Sequence, residues 1–258
     1  MVFEDRTDAA RQLVAALARY RGKHPLVLAI PRGAVPMGRL IADALGGELD
    51  VVLVRKLGAP GNPEFAVGAV DEAGWEYIAD YAAEMGASKT YLAEEAAAQL
   101  ATMRARRATY TPARAPIDPA GRIVIVVDDG LATGATMIAA LHSVRARGPK
   151  RLVCAVPVAA PESLEKVRPH ADEVVCLDTP AAFHAVGQFY RTFGQVEDRE
   201  VVAALAGREG GAVPPTGLRG ATFPRALRLS ADPPAPARGM RAADARNRKP
   251  AFRVRRCA

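Results

Sequence analysis

Val124-Ile125-Val126-Val127 sets four β-branched apolar residues in a row. Such side chains favour the pleated strand, and a strand without a polar position must be covered on both faces. Strands of that kind belong to parallel sheets sandwiched between helices. Comparable runs recur at Leu26 to Ile30, Val51 to Val54, Leu152 to Val158 and Glu173 to Leu177. Between them the apolar residues take helical spacing. Ala9, Leu13, Val14 and Leu17 follow Asp5 and Thr7, either of which suits a cap; Val35, Ile41 and Leu45 lead to Gly46-Gly47. Leu92, Ala96, Leu100 and Met103 line a long helix ending near Arg106-Arg107, Ile138, Leu141 and Val144 line another, and Ser163 to Val167 reads as a short one. Strands alternating with helices predict an α/β fold, a parallel sheet with helices on both faces.

The residues after the Val124 run carry chemistry. Asp128-Asp129 is followed by Gly130-Leu131-Ala132-Thr133-Gly134-Ala135-Thr136, a small-residue turn opening a helical pattern. A buried parallel strand delivers its loop to the carboxyl edge of the sheet, where open α/β folds bind ligands. Free amides at the start of the next helix, with the positive end of its dipole, form an anion cradle to which Thr133 and Thr136 add hydroxyls. The two carboxylates repel that anion. They suit an adjoining polyol or a divalent cation.

Strand, acidic pair and phosphate cradle together resemble the 5-phosphoribosyl 1-diphosphate (PRPP) motif of type I phosphoribosyltransferases. The resemblance implies that Asp128 and Asp129 are catalytic, holding the ribose hydroxyls directly or through Mg2+, and that Ala132, Thr133, Gly134, Ala135 and Thr136 hold the 5-phosphate. It also gives a role to Pro31-Arg32-Gly33, where a second strand meets a helix: Arg32 and Gly33 would bind pyrophosphate, with an unusual backbone at Arg32-Gly33 such as a non-proline cis bond. Gly33 and Gly38 have the spacing of a P-loop, but Arg39-Leu40 stands where that loop needs Lys-Ser/Thr. Arg55-Lys56 ends the Val51 run, and two cations there favour a polyanion, so Lys56 joins the pyrophosphate set.

Beyond Gly58-Ala59-Pro60-Gly61-Asn62-Pro63, the alternation of Phe65, Val67 and Val70, a turn at Asp71 to Gly74, and Trp75, Tyr77 and Ile78 read as a hairpin. In the family this is the mobile flap over PRPP. The segment from Thr179 to Phe193 concentrates four aromatics, and Phe183, Phe189 and Tyr190 are expected to form a small hood over the acceptor, although aromatics also pack cores. With Asp5-Arg6 and Asp198-Arg199-Glu200-Val201, these segments resemble the "predicted phosphoribosyltransferase" branch of the family over residues 1–206.

Residues 207–258 differ in composition. They hold 12 Arg/Lys against 3 Asp/Glu, so the net charge of +7 for all 258 residues resides there and the rest is slightly acidic. Seven Pro and six Gly, with no sustained apolar period, predict a disordered, separable tail suited to salt-sensitive contact with nucleic acid or anionic surfaces. The start Met1-Val2-Phe3-Glu4-Asp5 lacks the basic and apolar regions of a secretory signal, and no apolar run approaches the ~18 residues of a membrane span, so a cytoplasmic protein is expected. Cys154, Cys176 and Cys257 lack metal spacing, and the first two lie in strand-like runs.

The expected function is therefore magnesium-dependent phosphoribosyl transfer from PRPP to a nucleobase or similar small acceptor, with pyrophosphate released and room left for a homodimer. The alternative is a non-catalytic sensor of PRPP or nucleotides on the same fold.

Overall fold

The computed structural model describes residues 1–112, 114–207 and 227–230. Its main sheet runs in the order β2 (Glu48–Val51), β1 (Leu26–Ala29), β6 (Ile123–Val127), β7 (Arg151–Val158), β8 (Glu173–Asp178) and β9 (Leu227–Ser230). The first five strands are parallel, and β9 pairs antiparallel with β8. Because side chains alternate across a strand, Val27, Ala29, Ile125, Val127, Val153 and Ala155 feed one core and Leu26, Leu28, Val124, Val126, Leu152 and Cys154 the other. Helices α1 (Arg6–Ala16), α2 (Ala34–Leu45) and α6 (Asp198–Leu205) close the first core, and α4 (Ala135–Ala146) and α5 (Pro161–Val167) the second. The Asp5 carboxylate caps α1 by accepting the Asp8 N–H at 2.8 Å.

A second sheet is antiparallel: β3 (Val54–Ala59), β4 (Asn62–Asp71) and β5 (Glu76–Ile78). Here the structure corrects the reading of Val51 to Val54 as one buried strand. The core strand ends at Val51, and Arg55 and Lys56 lie on β3 of the second sheet. Asp50, one residue before that end, is a fully buried carboxylate reached by Arg107 and Arg114.

The expected flap hairpin is thus a three-stranded sheet, and its base is tied down. Leu57, Val67 and Val70 are buried in the first core. Asp71, 2% exposed, accepts Ser143 Oγ at 2.6 Å and Arg147 Nη2 at 3.3 Å from α4 and its end, and the N–H groups of Ala73 and Trp75 at 2.9 Å. Glu72 pairs with Arg107 of α3 (Lys89–Tyr110), a helix longer than its apolar stripe indicated.

The reading of residues 207–258 as disordered falls, except at Gly207 and Leu227–Ser230, outside the described residues. Those four residues form an edge strand on β8, so Glu173 to Leu177 is not the last strand of the sheet. Cys154 and Cys176 are buried free thiols. Among the described residues no helix is long and apolar enough to cross a membrane.

One contact between sheet and helix yields a pH prediction. His142 of α4 stacks on Tyr77 of β5 at 4.9 Å and lies 4.5 Å from the His170 ring. Burial, then the His170 charge, lowers the His142 pKa from 6.5 to about 4. Between those values the unfolded chain takes up a proton that the folded chain refuses, so stability falls as pH drops from 6.5 toward 4. His142→Phe keeps the stacking and removes the proton site. Thermal melts across that window should show a shallower decline for the variant; identical slopes would contradict the assignment.

Candidate functional site

Strands β1 and β6 are neighbours with Ala29 opposite Val127, so the loops leaving their carboxyl ends lie side by side. The Ile30 N–H donates to the Val127 carbonyl at 2.9 Å and continues the pairing up to both loops. The two pieces singled out in the sequence, Arg32-Gly33 and Asp128-Asp129, therefore meet although almost a hundred residues separate them. A Cβ placed on Gly33 would come within 2.0 Å of Asp129 Oδ2, so only glycine permits this approach. The loop does carry a non-proline cis peptide, at Pro31–Arg32, one bond earlier than expected.

The acidic pair sits at the end of a strand buried to Val127. Asp128 Oδ1 accepts the Asp129 N–H at 2.9 Å. Burial and the neighbouring Asp129 charge push the Asp128 carboxyl well above the usual range. Asp129 is also raised by burial, against the pull of Arg6. Arg6, at the start of α1, places Nε 2.9 Å and Nη2 2.8 Å from Asp129 Oδ2.

The turn after the acids has the form of an anion cradle. Gly134 caps α4 in the left-handed region with φ 77°, and the helical ladder begins with Ile138 N–H donating to the Gly134 carbonyl at 2.9 Å. The amides of Ala135, Thr136 and Met137 thus precede the ladder. Ser163 of α5 braces the turn, its Oγ donating to the Ala132 carbonyl at 2.6 Å. Leu131 bridges β7's extension, its N–H donating to Val158 at 2.9 Å. Gly130 faces Val186, whose Cγ1 would lie 2.6 Å from an added Cβ. The expected five-residue set from Ala132 to Thr136 is one contiguous structural unit.

Other expected residues are placed differently. Arg32 lies 3.8 Å from Asp198 of α6, whose Oδ1 also accepts the Tyr110 hydroxyl at 2.9 Å. Burial and Asp198 raise the Tyr110 pKa to about 12, while Arg106 and Arg32 oppose this. Burial and the like charge of Arg106 lower the pKa of Arg55. Arg32, Arg55 and Arg106 thus share the surroundings of Tyr110, a cationic region bordering the Arg32 loop. Lys56 stands on β3 opposite Ala69, with an exposed side chain.

The hood reading needs correction. Phe189 and Tyr190 are 6% and 5% exposed and belong to the first core, so their rings pack the protein. Tyr190 lies against Phe3 at 5.5 Å, and Phe183, half-buried, lies 5.0 Å from Phe189. The exposed ring in this segment is Phe193, at 37%. Tyr190 serves the site in another way: its hydroxyl donates to the Asp129 carbonyl at 2.7 Å. Three residues not assigned from sequence thus shape the site, Arg6, Ser163 and Phe193, while Tyr190 does so in a role other than the expected one. Asp5-Arg6 carried part of the resemblance, but a charged residue opening a helix gives no sign of a partner 123 positions away.

For a divalent cation, the described residues contain no group of three or more His, Cys, Asp or Glu positioned to form a cage. Two adjacent carboxylates fit Mg2+ instead, an ion that is commonly held by one or two carboxylates plus substrate oxygens.

The phosphoribosyl transferase domain model matches residues 3–193. A Mycobacterium tuberculosis H37Rv protein, whose name provisionally calls it a phosphoribosyl transferase, is 45% identical over 206 residues, which are 79% of this chain and 46% of the relative. The chain thus spans about half the length of that curated relative. The crystal structure of TT1426 from Thermus thermophilus is 50% identical, covers 80% of this chain and 98% of its own, and superposes with a TM-score of 0.73. A uracil phosphoribosyltransferase of Staphylococcus haemolyticus is 44% identical over 62 residues, 24% of this chain and 30% of that protein.

Proposed function

The chain belongs to the phosphoribosyl transferase domain family, and from that premise we propose that it is a magnesium-dependent phosphoribosyltransferase taking its donor from PRPP. The observation that carries the reading is the meeting of three pieces at the edge of β1 and β6: the Asp128-Asp129 pair, the Ala132–Thr136 turn ahead of α4, and the Arg32-Gly33 loop. Their chemistry matches the three parts of one donor, a polyol, a terminal phosphate and a diphosphate.

In this reading the bond from the anomeric carbon to pyrophosphate breaks as an acceptor nitrogen bonds to that carbon. Positive charge grows on the sugar, as in glycoside hydrolysis. Asp128 and Asp129 hold the ribose hydroxyls and oppose that charge. The amides of the Ala132–Thr136 turn hold the 5-phosphate, and Arg32, Gly33 and Lys56 meet the leaving pyrophosphate. Mg2+ bound through substrate oxygens and Asp128 or Asp129 would offset the charge of the diphosphate. The protein's contribution is orientation and electrostatics, with no covalent nucleophile.

The acceptor is proposed to be a nucleobase or similar small planar molecule. The local match to a uracil phosphoribosyltransferase supports that class. Phe183 is the one residue of the expected hood set that is only half-buried. We further place the protein in the cytoplasm, with a homodimer and a nucleic-acid contact of the basic 207–258 segment as separate proposals.

The test is pyrophosphate release from magnesium-PRPP by the full chain over a panel of acceptors that includes uracil and purine bases. Acceptor-dependent release is expected. Tight PRPP binding without release for any acceptor would favour the sensor on the same fold.

A further inference from the structure

The Arg6 guanidinium has more partners than an ordinary ion pair needs. Nε and Nη2 address Asp129 Oδ2 at 2.9 and 2.8 Å, Nη1 donates to the Gly194 carbonyl at 2.6 Å, and Cζ lies 3.9 Å above the Phe193 ring. Phe193 in turn stacks on Tyr190 at 4.9 Å, and the Tyr190 hydroxyl donates to the Asp129 carbonyl at 2.7 Å. The contacts close a ring: Arg6, Asp129, Tyr190, Phe193 and back to Arg6. Asp129 is therefore gripped at its side chain and at its backbone by one assembly. Gly33 makes room for it, since an added Cβ would lie 3.2 Å from Arg6 Nε as well as against the carboxylate.

Resting on the donor reading above, we propose that Arg6 is a positioning residue that fixes the Asp129 carboxylate for the ribose hydroxyls and couples it to the Phe193 segment. The planar fork suits this task in a way that lysine cannot match. It donates along two edges and stacks its face on an aromatic ring at the same time. With Oδ2 held by Arg6, the carboxylate keeps one orientation, and its other oxygen is presented consistently to the donor. An ion pair that only staples α1 to the body would need neither the Phe193 face nor the Tyr190 bond.

The test uses the full chain and measures magnesium-PRPP binding by calorimetry beside thermal melting. Arg6→Ala should weaken binding about tenfold or more, the scale of one charged hydrogen bond. Low-millimolar guanidinium chloride should restore affinity, and the same concentration of ammonium chloride should not. Arg6→Lys should recover only part of it, because charge returns without fork or stacking. Phe193→Leu, which leaves Arg6 in place, should cause a smaller fall in the same direction. Arg6→Ala binding that equals or exceeds that of the unmodified chain would overturn the proposal, as would a loss accompanied by a lower melting temperature and no response to guanidinium. Failure of the unmodified chain to bind PRPP would instead overturn the donor reading, and this inference with it.

Discussion

Asp129→Asn is expected to lower the rate of pyrophosphate release by about 10²- to 10³-fold with saturating magnesium-PRPP and a competent acceptor, the typical loss on removing an electrostatic contact made in the transition state. The substitution keeps the shape of the side chain and removes its charge. A group that only gripped the ribose would lose affinity and leave turnover of bound donor nearly intact. One that opposes the growing charge on the sugar must show its loss in kcat. Asn also leaves Arg6 facing a neutral amide at the position where Nε and Nη2 met Oδ2. The fold should survive, because Gly194 and Phe193 still hold the guanidinium. Melting and single-turnover measurements on the same preparation separate the outcomes. An unchanged kcat with a raised KM would reduce Asp129 to a binding group.

Asp50→Ala should cost about 3 to 5 kcal/mol of stability, the range for breaking a buried ion pair from one side. Asp50 is 0% exposed and accepts from Arg107 Nη1 at 2.7 Å, Arg114 Nη1 at 3.1 Å and the Ile117 N–H at 2.9 Å. Arg107 is 9% exposed and would retain Glu72 as its acidic partner. The Ile117 amide and the inner edge of the Arg107 guanidinium would lose their acceptor. Denaturant titration of the unmodified chain and the variant measures the loss. A cost below about 1 kcal/mol would indicate that the guanidinium finds water or another acceptor, since an unmade bond to a buried group ordinarily costs more.

The sequence was most readable where one physical demand dominated. An unbroken apolar run such as Val124 to Val127 admits few readings, and the Gly/Thr turn after Asp128-Asp129 announced the helix start that Gly134 and α4 form. Cross-chain partnerships were hidden. Nothing near Asp50 indicates that Arg107 and Arg114 make a carboxylate tolerable inside β2, and so the apolar residues after it read as the strand. The aromatics from Phe183 to Phe193 illustrate a second limit. Composition cannot divide rings between core and ligand, and burial assigned Phe189 and Tyr190 to the core while leaving Phe193 outside. Leu-Arg-Leu-Ser at 227–230 was too short an alternation to stand out among prolines, and it is β8's unpaired edge that gives it partners.

Helix α4 works as a lever with a load at each end. Its first turn carries the amides beyond Gly134, and Ser143 in its last turn, with Arg147 just past its end, holds Asp71 at the base of the second sheet. Twelve residues make a rod of about 18 Å. A rod that tilts about its middle moves both ends, so a tilt of that kind at the N-terminal turn is felt at the β4–β5 corner. The part of the second sheet farthest from that corner is its tip, the Ala59–Asn62 turn around Gly61, which has φ 74° and no neighbouring atom within 4 Å of an added Cβ.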